Sequence, residues 1–161
     1  MSISVGDQLP EAEVFVLGSE GPEARSVADL FKGKRSVLFA VPGAFTPSCH
    51  NDHLPGYVQA AAEIKNKGVD EIYCLAVNDA FVMKAWEDAS QAGPSVTLLA
   101  DGNGAFSKAV DMTFDGAGVG LGVRSLRYSM LVEDGVVKAL NVEESPGTVD
   151  VSGAAKMLEA L

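Results

Sequence analysis

The residues best suited to chemistry lie in one run, Val41-Pro42-Gly43-Ala44-Phe45-Thr46-Pro47-Ser48-Cys49-His50, which places a thiol just past a turn. Ser36 to Val41 is a short apolar stretch that reads as a buried strand, and Pro42-Gly43 ends it. Thr46 suits a helix N-cap and Pro47 the first helical position. Cys49 therefore falls in the first turn of a helix, where unpaired backbone N–H groups favour negative charge. A thiol in that setting ionises more readily than a free one and becomes a nucleophile or a redox centre.

Pro42, Thr46 and Cys49 follow the order P-x-x-x-T-x-x-C, which resembles the active-site signature of peroxiredoxins. The longer string, through His53-Leu54-Pro55-Gly56, is similar to the peroxiredoxin-5 (type II) subfamily. Far downstream, Gly122-Val-Arg124-Ser-Leu-Arg127-Tyr-Ser-Met130 resembles the segment in which that family carries its active-site arginine, and the matching residue is Arg127. The likeness extends through Asp70 to Trp86 and Val136 to Val142. It implies an α/β, thioredoxin-like fold with a central mixed β-sheet flanked by helices. It also implies a thiol-dependent peroxidase that reduces hydrogen peroxide and alkyl hydroperoxides through a Cys49 sulfenic acid. A homodimer packed near the active sites is implied too, with Phe45 and the segment Phe81 to Trp86 as contributors.

The residues themselves fit those roles. A thiolate attacking one peroxide oxygen needs help with the other as it leaves as hydroxide or alkoxide. Thr46, three residues before Cys49 on the same face of the turn, is placed to accept from the peroxide and donate to the thiolate, or to act as a plain N-cap. Arg127 shares a face with Ser129 and Leu131 at strand period. An arginine on such a strand needs an anionic partner or water, and a Cys49 thiolate would be that partner. Its forked guanidinium favours the thiolate and can hold peroxide oxygens. Pro42 and Pro47 shape and shield the pocket.

Cys74 lies mid-strand in Ile72 to Val77 and reads first as a core residue. Some plant-type members of the subfamily carry a cysteine at the matching position, which leaves resolution of Cys49 by Cys74 open. A disulfide needs Cα atoms within about 7 Å, so such a residue would have to move. The mammalian-type member keeps its resolving cysteine in the region matching Pro146 to Gly153, where this chain has none. The simplest expectation is a one-cysteine cycle recycled by an external thiol, glutathione with glutaredoxin or thioredoxin. His50, Asp52 and His53 are too local for a zinc site, and no metal, haem or flavin is implied. His53 is expected to be a structural hydrogen-bonder and His50 to lie near the surface. Cys49 is followed by His50, Asn51 and Asp52, not the C-x-x-C of a thioredoxin-like exchanger, and the C-x5-R of a cysteine phosphatase fails because position 55 is proline. A non-enzymatic redox-sensing domain, signalling through oxidised Cys49, is the alternative.

The elements that must hold these residues are legible in outline. At 161 residues, with 47% hydrophobic and 21% charged residues, the chain reads as one domain over positions 1–161. A net charge of −10 disfavours nucleic acid and anionic membranes as partners. No apolar run approaches a membrane span, and no secretion signal is read at the start, so the default compartment is the cytoplasm. A strand is expected around Glu13 to Leu17 and a short helix capped by Ser26. The helix begun at Thr46 should kink or break at Pro55. Strands at 72–77 and 97–100 alternate with helices at 80–90 and 105–110, which implies parallel pairing. A glycine-rich stretch from Asp115 to Gly122 either borders the pocket or simply connects. A hairpin turning at Asp134-Gly135 and a last helix over 151–160 complete the plan.

Overall fold

In the computed structural model, which describes residues 2–161, strand β3 (Arg35–Ala40) organises the sheet. Val37 and Phe39 face one side with Val41, Leu38 and Ala40 face the other, and all five are fully buried. Burial on both faces is why this strand reads as a continuous apolar run rather than an alternating one. β3 pairs in parallel with β4 (Glu71–Ala76), and β4 with β5 (Thr97–Ala100). Parallel neighbours require crossovers, which α2 (Leu54–Asn66) and α3 (Ala80–Ser90) provide. Beyond β3 lies antiparallel β8 (Tyr128–Glu133), which turns into β9 (Val136–Val142). Asp134 and Gly135 both take positive φ there, 48° and 80°, as a two-residue I′ hairpin turn demands.

On the other edge, β1 (Glu13–Gly18) pairs along its length with β2 (Gly21–Ser26) and meets β5 at the pair Phe15 and Ala100. The sheet thus has seven strands in the order β2-β1-β5-β4-β3-β8-β9. Helices cover both faces. α2 and α5 (Ala154–Ala160) bury Leu54, Ile64 and Met157 on the Phe39 side, while α1 (Val27–Phe31) and α4 (Ala105–Ala109) bury Val27, Phe31 and Phe106 on the Leu38 side. Each such side chain stabilises the fold by about 1.5–3 kcal/mol. The architecture is the expected α/β thioredoxin-like one, a central mixed sheet flanked by helices.

Three details depart from the sequence reading. β2, Gly-Pro-Glu-Ala-Arg-Ser, has no apolar period because it is an edge strand, where proline and charge are tolerated. The glycine-rich stretch is folded: β6 (Thr113–Asp115) and β7 (Val123–Ser125) pair as a small ribbon closed by a 3₁₀ turn at Ala117–Val119. The helix does not break at Pro55. It widens into a π-helical turn over Cys49–His53, in which the Leu54 N–H donates to the Cys49 carbonyl, and continues as α2 with Pro55 in its first turn. A proline has no N–H to give and crowds the carbonyl four residues back, and the wider turn just upstream accommodates both defects.

Candidate active site

The strand-to-helix turn after β3 positions the thiol. The His50 N–H donates to the Thr46 carbonyl at 2.8 Å, so Thr46 caps the helix and Pro47 is its first residue. Phe45 takes a left-handed φ of 64° to make the turn. A Cβ at Gly43 would stand 2.7 Å from Arg124 Nη1, so the guanidinium, which lies across the turn and donates to the Pro42 carbonyl, would have to shift to admit one. The Thr46 hydroxyl donates to the Gly43 carbonyl at 2.7 Å. Its hydrogen is thereby directed away from the sulfur, contrary to the expected donation to the thiolate, and its lone pairs remain free to accept.

Cys49 is fully buried, on the same side of the sheet as Phe39 and Leu131. Arg127, immediately before β8, reaches it from below and is only 2% exposed. Its three donor directions are each used. Nη2 donates to Cys49 Sγ at 3.1 Å, Nε to the Pro146 carbonyl at 2.9 Å, and Nη1 meets His53 Nδ1 at 2.9 Å. A permanently charged guanidinium is thus in contact with the sulfur at the start of the helix. The period-two expectation for Arg127, Ser129 and Leu131 agrees with the placement: Ser129 pairs with Phe39 and Leu131 with Val37, on the thiol's side of the sheet.

His53 is buried, and its protonation state follows from its partners. Arginine can only donate, so Nδ1 must accept; Nε2 lies 3.0 Å from the Ser152 carbonyl, which can only accept, so Nε2 carries the hydrogen. The ring is neutral. Burial pushes its pKa down from 6.5 to about 4, the Ser152 hydrogen bond opposes this and Arg127 adds to it. Between those two values the unfolded chain binds a proton that the native site refuses. Folding stability is therefore complete above the unfolded value and falls as pH drops from about 6.5 toward 4, by a total on the order of 3 kcal/mol. Urea unfolding across that window should show the slope, and a slope unchanged in His53→Gln would assign it to another group.

His50 is half-buried rather than at the surface, and its Nδ1 accepts from the Trp86 indole at 3.0 Å. Trp86 is itself fully buried, so it is no exposed contributor to a dimer surface, while Phe45 and Phe81 are 48% and 61% exposed. Cys74 is buried at the centre of β4, between Phe39 and Leu98 in the sheet. Burial pushes its pKa well up, and the nearby Cys49 adds to this. Both cysteines are unpaired. Arg127 opens onto a recess of about 280 Å³ lined by Pro42, Thr46, Pro47, Phe114 and Leu121. The ribbon of the glycine-rich stretch thus forms part of the wall. A larger cleft of about 400 Å³, between β1, β5 and α3, is lined by neither Cys49 nor Arg127.

Sequence reasoning missed the groups that hold Arg127. Pro146, Ser152 and Glu143 lie in a segment without regular structure, where no period marks them. Tyr57, on α2, donates to the Ser152 carbonyl at 2.8 Å, a contact that no sequence signal announces.

Comparison with known proteins supplies the class. Residues 4–158 match the Redoxin family model. Peroxiredoxin-2E-2, chloroplastic, of Oryza sativa subsp. japonica is 48% identical over 165 residues, covering 99% of this chain and 73% of the relative. Peroxiredoxin-2B of Arabidopsis thaliana is 44% identical over 160 residues, covering 99% and 98%. The crystal structure of reduced Prx3 from Vibrio vulnificus in complex with hydrogen peroxide superposes with a TM-score of 0.93 at 49% identity, covering 98% of each chain. Fold and site define a thioredoxin-like protein of the Redoxin class. The chain belongs to the peroxiredoxin family and is a thiol-dependent peroxidase.

Proposed function

We propose that the peroxidase reaction runs through Cys49 as the peroxidatic nucleophile, with Arg127, Thr46 and Pro42 completing the site. The observation that carries this reading is the contact of Arg127 Nη2 with Cys49 Sγ at 3.1 Å, a buried cation against the thiol at the helix start. The thiolate sulfur attacks one oxygen of the hydroperoxide and the O–O bond breaks. Sulfur is oxidised to the sulfenic acid, and the other oxygen takes a proton and leaves as water or an alcohol. The Arg127 fork stabilises charge on the departing oxygen, the Thr46 hydroxyl oxygen accepts from the incoming peroxide, and Pro42 closes the wall of the recess.

Recycling draws on an outside thiol. One thiol condenses with the sulfenic acid to a mixed disulfide and releases water, and a second thiol displaces Cys49. The reductant we propose is glutathione with glutaredoxin, or thioredoxin. The P-x-x-x-T-x-x-C string running on to His53-Leu54-Pro55-Gly56 supports the peroxiredoxin-5 (type II) branch of the family. Two exposed aromatic rings, Phe45 and Phe81, support a homodimer, and two unpaired thiols support a reducing compartment, the cytoplasm.

Cys74 is read as a core residue with no part in the peroxide step. Cys74→Ser is expected to leave the second-order rate with peroxide within about twofold of the native value, at some cost in stability from a buried hydroxyl. Intact-mass analysis after one equivalent of hydrogen peroxide tests both points. A gain of one oxygen mapped to Cys49 supports the one-cysteine cycle, and a loss of two hydrogens joining Cys49 to Cys74 overturns it.

A further inference from the structure

The segment from Glu143 to Ser152 has no regular structure, yet three of its backbone carbonyls serve the active-site helix and its arginine. Pro146 accepts from Arg127 Nε at 2.9 Å, Gly147 from the Ser48 hydroxyl at 2.7 Å, and Ser152 from both Tyr57 and the His53 ring at 2.8 and 3.0 Å. Carbonyls on an irregular segment position a side chain only if something fixes the segment. Within the segment, one side chain makes three such fixing bonds. Glu143 Oε2 accepts from the Asp150 N–H at 2.7 Å, the Ser152 N–H at 2.8 Å and the Ser152 hydroxyl at 2.6 Å. The Glu143 backbone N–H in turn donates to the Arg127 carbonyl at 3.0 Å. The carboxylate closes the segment from inside while its own backbone is tied to the arginine, and the residue is only 9% exposed.

We infer that Glu143 is a positioning residue of the peroxidase site: its carboxylate staples the segment Glu143 to Ser152, so that the Ser152 and Pro146 carbonyls hold His53 and Arg127 against Cys49. The order of action is fixed by donor and acceptor chemistry. The Ser152 carbonyl keeps the hydrogen of His53 on Nε2, which leaves Nδ1 free to accept from Arg127 Nη1, and this sets the plane in which Nη2 meets the sulfur. Loss of the staple frees the Ser152 carbonyl, and the guanidinium loses two of its three fixed partners. Burial alone would push the Glu143 carboxyl up, but the Ser152 hydroxyl and the backbone N–H groups around it hold it below the usual carboxylate range, so the staple stays charged at neutral pH.

This inference rests on the reading of Cys49 as the peroxidatic thiol, and its test does not use peroxide. Alkylation of Cys49 by iodoacetamide, located by peptide mass, would be followed against pH in the native protein and in Glu143→Gln. The variant keeps the side-chain shape but has a weaker, uncharged acceptor. Its alkylation midpoint is expected to rise by about one pH unit, a tenfold change in thiol ionisation. Amide hydrogen exchange at Asp150 and Ser152 should quicken in the same variant. Faster exchange with an unmoved midpoint would make Glu143 merely structural, and a moved midpoint with unchanged exchange would show that it acts through its field and not the segment. Either result overturns the inference. Should Glu143→Gln not fold, Ser152→Ala, which removes only the hydroxyl donor, is expected to show a smaller rise in the same direction, and no rise overturns it. A shifted midpoint in a protein that consumes no peroxide would refute the peroxidatic reading and leave the staple standing.

Discussion

Cys49→Ser is expected to reduce peroxide consumption to that of the buffer. A serine hydroxyl at the same place is uncharged at neutral pH and a poor nucleophile toward oxygen, and the remaining cysteine offers no substitute. Cys74 is fully buried at mid-strand, and its burial holds it in the neutral form. The fold should survive, because the replacement keeps the volume nearly unchanged and its oxygen still accepts from Arg127. Peroxide consumption in the presence of excess thiol checks the result, with far-UV circular dichroism on the same sample. Sustained turnover by a folded Cys49→Ser protein would sink the assignment of the nucleophile.

Arg127→Ala is expected to lower the second-order rate with peroxide by about 10²–10³, the loss seen when one preorganised donor to a developing anion is removed. Two effects combine. The thiolate loses the cation 3.1 Å from its sulfur, and the departing oxygen loses its donor. Arg127→Lys should recover only part of the rate, since an ammonium cannot reach the sulfur, the Pro146 carbonyl and His53 together from one planar fork. Arg127→Ala also leaves His53 Nδ1 without its donor in a buried site, so it should unfold at lower urea concentration than the native chain. Stopped-flow measurement of the peroxide step separates the two consequences. A rate unchanged in a destabilised Arg127→Ala protein would mean that the arginine is structural, and the charge on Cys49 would then depend on the helix start alone.

The turn between β3 and its helix was legible because its signals are local. A buried strand announces itself by apolar residues, proline and glycine end it, and a threonine followed by proline opens a helix; each acts within a few residues. Cys49 could therefore be placed to the turn. Arg127 required more, because its 78-residue separation from Cys49 is bridged only by pairing β3 with β8. Its strand period gave the face, and the resemblance to peroxiredoxins chose it over Arg124, which lies across Pro42 instead. The Asp134-Gly135 hairpin was readable for the same local reason as the turn at Cys49.

What tertiary structure alone decided is how the site is held. The direction of the Thr46 hydroxyl depends on where the Gly43 carbonyl points, and Pro55 passes without a break because a π-turn upstream absorbs it. Trp86 is interior, donating to His50, although its sequence neighbourhood also contains the exposed Phe81. The staple at Glu143 was invisible, since two carboxylates followed by serine, proline and glycine read as an ordinary solvated loop. By itself the sequence determined where Cys49 sits and the strand and helix that present it, which depend on residue type and short-range backbone preference, and its resemblance to peroxiredoxins gave the class of chemistry. The tautomer of His53, the aim of the Arg127 fork and the part of the segment 143–152 were decided by hydrogen bonds between residues far apart in the chain, whose partners are defined only once the sheet has brought them together.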